Sequence, residues 1–202
     1  MSIRLYGAKE SGHSFKARLY LLLANIGHEY QAIDIDTPRD ERPADFRAIA
    51  KYGEVPALID DGAVHVQSNN ILLHLARKFG KFGAVDEAGW SAITTWLFWE
   101  ANRIGRSFPN LRWFRTLGHE GDPGLISWFH ETAVADLGRL DDELADKPYL
   151  LGRLTIADLS CAGYLLYGDD PGLGLSRWPH VMAWLDRIRA EPGWRNPRDV
   201  MG

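Results

Sequence analysis

The sequence predicts two unlike halves: an α/β N-terminal part of order βαβαββα, then an all-helical C-terminal part. Three observations predict this. Residues 1–80 alternate short apolar runs with helical patterns, whereas residues 81–202 contain no alternating run. All eight tryptophans (Trp90, Trp96, Trp99, Trp113, Trp128, Trp178, Trp184 and Trp194) lie beyond residue 80. Between the halves, KFGAVDEAG (81–89) carries two glycines and little periodicity. The expected division is a domain over 1–80, a linker over 81–88 and a helical domain over 89–202.

Each element has its own signal. IRLYGA (3–8) alternates and is mostly apolar, which predicts a strand. SFKARLYLLLANIG (14–27) places Phe15, Leu19, Leu22, Leu23 and Ile26 at helical spacing and ends on Gly27. EYQAIDID (29–36) is a weaker strand, and PADFRAIAKYG (43–53) a short helix. VPALID (55–60) and AVHVQ (63–67) are strands joined by the turn signal Asp61-Gly62. SNNILLHLARKFG (68–80) is a helix with Ile71, Leu72, Leu75 and Phe79 on one side. Further helices are expected at 88–106, 123–145, 155–167 and 178–190, with prolines such as Pro109, Pro123 and Pro179 at breaks or first turns.

Composition narrows the function. Of 202 residues, 46% are apolar and 25% charged, enough for a core and too apolar for disorder. Net charge is −4, which argues against nucleic acid or anionic membrane as partner. Residues 81–202 carry the imbalance, with 13 basic and 17 acidic side chains. The one cysteine, Cys161, makes no internal disulfide and reads as a buried apolar residue. The start of the chain lacks a signal-peptide core, and the expected location is cytoplasmic. The seven histidines show no metal-ligand spacing, so no metal is expected.

Several residues have both a structural and a chemical reading. Pro56 opens a strand and suits an edge position. If Val55-Pro56 were cis, the Val55 backbone would turn outward and could pair with an extended peptide ligand. Ser68, in Gln67-Ser68-Asn69, is placed to cap the helix it begins. A helix start is also a carboxylate site, where Ser68 adds a hydroxyl and Gln67 an amide. Ser11, between the first strand and first helix, is a turn or cap residue, or a hydroxyl donor to a bound thiolate. A thiol has pKa about 8.5, and one charge-assisted hydrogen bond of roughly 1.5–3 kcal/mol would ionise much of it near pH 7. Of its neighbours, Ser14 is expected to cap the helix and His13 to face solvent. Thr155-Ile156-Ala157-Asp158 has the form of a capping box. The segment 96–115 mixes aromatics with Arg103, Arg106, Arg112 and Arg115, which reads as core covered by arginine stems, or as a pocket for a small molecule.

The order LYGAKESGHSFKARLYLLLANIGHEYQ, YGEVPALIDDG, VQSNNILLHLARKFG, LLGRLTIADLSCAGYLL resembles the cytosolic glutathione S-transferase family along nearly the whole chain. The resemblance implies a thioredoxin-like N-terminal domain, an all-helical C-terminal domain and a homodimer. It implies a transferase that activates the thiol of glutathione, a co-substrate rather than a cofactor, for attack on an electrophilic small molecule in detoxification. Carried over by position, Ser11 would activate the thiol, and Val55, before the family's cis-proline Pro56, would hold the cysteinyl backbone. Gln67 and Ser68 would hold the γ-glutamyl end. Thr155 and Asp158 match the capping box of the helical domain. Other implied readings are a glutathione-dependent disulfide reductase, peroxidase, isomerase or dehalogenase, or a non-catalytic interaction protein.

The chain departs from the family pattern in places. Ala50-Lys51-Tyr52-Gly53 stands where bacterial-type members often have Asn-Pro-x-Gly. Glu54 stands where a basic residue is common, and an acid there would repel the glycyl carboxylate of glutathione unless it points away. Arg39, Arg42 or Lys51 could supply the missing cation. Asn70 replaces a residue that is usually small and apolar.

Overall fold

The computed structural model describes residues 2–169 and 171–202. Four strands, β1 (Ile3–Gly7), β2 (Glu29–Ala32), β3 (Ala57–Asp60) and β4 (Ala63–Val66), form a mixed sheet of order β2-β1-β3-β4. β1 pairs β2 in parallel and β3 antiparallel; β3 and β4 form an antiparallel hairpin. Asp61 and Gly62 make its turn, both at positive φ (48° and 88°). The pleat sorts the two faces. Leu5 and Leu58, opposite each other, pack with Phe15 and Leu19 of α1 (Gly12–Leu23) and Ile71 and Leu75 of α3 (Ser68–Phe79). The next pair, Tyr6 and Ala57, turns to the other face and packs with Ile33, Ala50 and Phe46, the last from α2 (Ala44–Ile49).

The rest of the chain is helical: α4 (Glu87–Asn102), α5 (Ile104–Arg115), α6 (Pro123–Glu143), α7 (Ile156–Ala162), α8 (Pro179–Arg189) and α9 (Pro197–Val200), with two 3-10 turns. The core of α1 and α3 continues into Ile93, Leu97, Phe108, Ile156, Leu159 and Trp184. The architecture is a thioredoxin-like N-terminal domain followed by a helical one.

Some expectations need correction. α1 starts at Gly12, because the Ser11 hydroxyl, and not Ser14, caps it by accepting from Ser14 N–H at 3.1 Å. It ends before Gly27 because Asn25 adopts the left-handed conformation (φ 54°). Asn25 and Ile26 then return their N–H groups to Leu22 and Leu21 carbonyls, at 3.0 and 2.8 Å. The expected helix 88–106 is two helices, broken at Arg103 (φ −119°, ψ −103°). Pro109 lies inside α5 and not at a break. Having no N–H, it leaves the Gly105 carbonyl, four residues back, without its helical donor. No helix among the described residues is long and apolar enough to cross a membrane.

Candidate active site

Two adjoining chambers open where the two halves meet. The larger, about 470 Å³, is lined by Ser11, Val55, Arg39, Arg112, Trp113 and Tyr164 among others. The smaller, about 250 Å³, is lined by Gln67, Ser68, Asn69, Pro56 and Glu100 among others. His13, Glu54 and Val55 line both, and so mark the junction. The structure therefore gathers Ser11, Val55, Gln67 and Ser68 from four separate segments around one connected cleft.

The Val55–Pro56 bond is cis. The loop leading to it is organised by Arg42, which donates to the carbonyls of Thr37 (3.0 Å), Gly53 (2.8 Å) and Ile35 (2.7 Å). That side chain is buried, with its charge committed to the backbone. Lys51 lies over the Tyr52 ring and lines neither chamber. Arg39 lines the larger chamber, with its side chain 67% exposed and 4.0 Å from Glu54.

Ser11 is 7% exposed. It accepts the Ser14 N–H through a lone pair, which leaves its own O–H proton to donate. Capping and donation are thus compatible at one hydroxyl. Two glycines make room beside it. A Cβ on Gly12 would lie 2.4 Å from the Tyr164 ring, and one on Gly163 would lie 2.7 Å from the Gly12 carbonyl. Tyr164 can therefore lie against the start of α1, where burial pushes its hydroxyl up to about 12, partly offset by Ser11 and Arg112. Arg112 donates to the Glu10 carbonyl and to Glu10 Oε2, both at 2.9 Å, and so fixes the loop that carries Ser11.

At the smaller chamber, Gln67 and not Ser68 is the N-cap of α3, and it makes no side-chain cap bond. Its backbone is held at φ 68°, a strained value for a non-glycine residue. Ser68 is the first residue of the helix. The first-turn N–H groups are thus not claimed by a cap side chain and sit at the positive end of the helix dipole. Behind them lies a buried polar cluster. Lys16 Nζ is 2.9 Å from Glu100 Oε2 and donates to Ser160 at 3.1 Å. Asn69 Nδ2 donates to Glu100 Oε2 at 2.9 Å, and Ser160 donates to Asn69 at 2.6 Å. Burial alone would raise the Glu100 carboxyl; Lys16, His13 and Asn69 hold it below the usual carboxylate range.

His13 does not face open solvent, contrary to expectation. Its ring meets Tyr164 edge-on at 5.0 Å, with Nδ1 3.7 Å from Glu100 Oε1. Burial chiefly, and Lys16 next, push its pKa down to about 4, against the pull of Glu100 and the Gly105 carbonyl. His13, Lys16, Glu100, Arg112 and Tyr164 were not assigned to the site from the sequence. Only the polar character of the 103–115 segment hinted at Arg112. Thr155 and Asp158 stand apart from the chambers, in a capping box at the start of α7.

Comparison with known proteins places these features in context. A family model described as "Glutathione S-transferase, N-terminal domain" matches residues 10–78, and one described as "Glutathione S-transferase, C-terminal domain" matches 129–187. A glutathione S-transferase domain-containing protein of Dictyostelium discoideum is 29% identical, over 87% of this chain and 73% of its own length. The disulfide-bond oxidoreductase YfcG of Escherichia coli is 27% identical, over 90% of this chain and 87% of its own. The crystal structure of a glutathione S-transferase from Pseudomonas fluorescens superposes with a TM-score of 0.89 at 26% identity, covering 98% of this chain and 99% of that one.

Proposed function

Because the chain belongs to the glutathione S-transferase family, we propose that it binds glutathione in this cleft and transfers its sulfur to an electrophilic small molecule. One observation carries the reading: Ser11 and Val55 share the larger chamber, while Val55, Gln67 and Ser68 share the smaller. The cysteinyl backbone pairs with Val55, which sets the thiol at the junction on the Ser11 side. The γ-glutamyl carboxylate meets the start of α3 and Ser68. Arg39 takes the glycyl carboxylate, since Arg42 is spent on carbonyls and Lys51 lies outside. The thiol loses its proton to solvent, and the sulfur accepts the Ser11 O–H. The thiolate attacks the electrophile, a sulfur–carbon bond forms, and the leaving group departs with its electron pair. The acceptor half presents Trp113, Leu117 and Tyr164 for an apolar or aromatic body. The protein acts as a homodimer.

Titration calorimetry with glutathione, followed by thiolate absorbance from pH 5 to 9, tests this. Saturable binding with a thiol pKa below its free value is expected. Ser11→Ala raises that pKa by one to two units and lowers kcat about 10- to 100-fold at pH 7, following a hydrogen bond of roughly 1.5–3 kcal/mol. Ser11→Thr restores both. Undiminished turnover in Ser11→Ala removes the hydroxyl from the mechanism.

A second reading is glutathione-dependent disulfide reduction, favoured by the likeness to the Escherichia coli oxidoreductase. Burial pushes the thiol of Cys161 well up, so that residue supplies no nucleophile. Two glutathione molecules would supply both electrons: one thiolate opens the disulfide, and the second releases glutathione disulfide. Rates with hydroxyethyl disulfide and with an aryl halide, measured side by side, separate the two readings.

A further inference from the structure

Gln67 and Ser68 join β4 to α3, and a polar cluster closes over that joint on a face that lines neither chamber. β4 is an edge strand, paired with β3. Val66 turns to the Phe46 side of the sheet. His65, its neighbour, turns to the α3 side and stacks on His74, with ring centroids 3.7 Å apart and planes at 21°. His74 Nε2 donates to Asp60 Oδ2 at 2.7 Å. Lys78 donates to the same oxygen at 2.7 Å and to Asp61 Oδ2 at 3.2 Å. Asn70, where the family usually has a small apolar residue, donates to the Val66 carbonyl at 3.1 Å. These contacts tie β3, β4 and α3 together. At their outer end, His65 Nε2 is buried with no hydrogen-bond partner among the described residues.

A proton on His65 works against this arrangement. Both ring nitrogens become donors, and Nε2–H meets no acceptor. Of the charged groups around the ring, Arg77 and Lys78 of α3 repel the added charge, as does His74 when protonated. Asp60 of β3 is already engaged by His74 and Lys78, and Asp61 of the turn by Lys78 and the Ser2 N–H. Burial chiefly, then His74, push the His65 pKa below the usual histidine value, against the pull of Asp60. Acid therefore favours a state in which His65 has left the stack and the β4 edge is freed from α3. Gln67, strained at φ 68°, depends on the elements on either side to hold it. We propose that the His65–His74 stack is a pH-sensitive latch that fixes Gln67 and Ser68 for glutathione near neutral pH and releases them near pH 5. The inference concerns the regulation of the proposed glutathione site and rests on that reading. Its sign follows from linkage: the ligand binds the latched form, which holds fewer protons, so affinity falls as pH falls.

The probe is S-methylglutathione, which has no thiol to titrate. Its amino and carboxyl groups keep their charge between pH 7.5 and pH 5, and His13 stays neutral to about pH 4. Calorimetry on the wild-type protein is expected to show Kd rising at least about threefold from pH 7.5 to pH 5. His65→Phe keeps a ring in the stack that cannot take a proton, and its Kd should change by less than about 1.5-fold over the same interval. A flat wild-type affinity, or the same rise in His65→Phe, overturns the inference while leaving glutathione binding in place. Reciprocity supplies a second readout that needs no variant: saturating S-methylglutathione should lower the pH at which the His65 ring titrates, by about half a pH unit or more for a threefold coupling. Proton NMR of the wild-type histidine rings follows this, and an unmoved His65 titration overturns the latch. Wild-type protein that does not bind S-methylglutathione at pH 7.5 overturns the functional reading, and the inference with it.

Discussion

His13 shows how one side chain acquires properties that its neighbours in sequence do not give it. It follows Ser11 by two residues, yet its surroundings come from α4, α5 and the segment after α7. Pro109 leaves the Gly105 carbonyl unclaimed, and that carbonyl faces the imidazole. Burial and Lys16 still win, and the ring stays neutral to about pH 4. In the unfolded chain it protonates near pH 6.5. Between those values the unfolded state binds more protons, so His13 costs stability as pH falls from about 6.5 to about 4. The ring is about a third exposed (32%), which screens the effect to roughly 1–2 kcal/mol. Urea unfolding at pH 4.5 and pH 7.5 checks this: His13→Asn should lose less stability than wild type on acidification. An equal loss in both proteins assigns the acid sensitivity elsewhere. Of this, only Lys16, three residues further along α1, stands within GAKESGHSFK. Ser11 was legible, because its two roles follow from its place between strand and helix. His13 was not, because Glu100 and Tyr164 reach it only after the chain has folded.

At the scale of elements, the strands and most helices could be read from periodicity. Leu5 and Tyr6 alternate across the sheet, and Ile71, Leu72 and Leu75 recur at helical spacing. The start of α1 was misread because Ser11 and Ser14 are both capping residues, and only the geometry selects between them. α5 escaped because proline within a helix opposes local preference, at a cost of about 3 kcal/mol. Packing of the buried Phe108 and Leu111 and the Arg112–Glu10 contacts offset it. The capping box of α7 was legible, but not the further duty of Asp158. Its Oδ2 accepts Thr155 N–H and Oγ1–H, at 2.9 and 3.0 Å. Its Oδ1 accepts Leu150 N–H and Trp184 Nε1–H, at 2.9 and 3.0 Å. Four donors converge on one buried carboxylate, which burial would push toward its neutral form. Asp158→Ala should cost on the order of 3–5 kcal/mol, as for a buried charged group whose partners are stranded. Thr155→Ala should cost about 1 kcal/mol. Denaturant midpoints and Trp184 emission check both; equal losses in the two variants would reduce Asp158 to an ordinary cap.

At the scale of the whole molecule, composition divides the chain but packing joins it. The apolar side chains of α1 and α3 that face away from the sheet find their cover in α7, which α4 backs in turn. The polar ties cross in the same place. Lys16 meets Glu100 and Ser160, Asn69 Nδ2 donates to the Leu97 carbonyl at 2.8 Å, and Tyr167 donates to the Lys9 carbonyl at 2.7 Å. Each half therefore supplies walls that the other needs, and the two chambers exist only while both are folded. Opening one half would expose Phe15, Ile71 and Leu72 and strand the buried Lys16–Glu100 pair, a penalty of several kcal/mol. The two halves should accordingly unfold as one cooperative unit. Amide exchange measures this directly: the slowest amides of β1 and of α7 should report the same opening free energy to within about 0.5 kcal/mol, the tolerance expected of one shared transition. Tryptophan emission, which reports only residues 90–194, should share its urea midpoint with the β1 amides. A fragment of residues 1–80, lacking the cover over α1 and α3, should stay unfolded. Two separated opening energies, or a folded fragment, would show that the cleft lies between independent bodies; its geometry would then depend on ligand to bring them together.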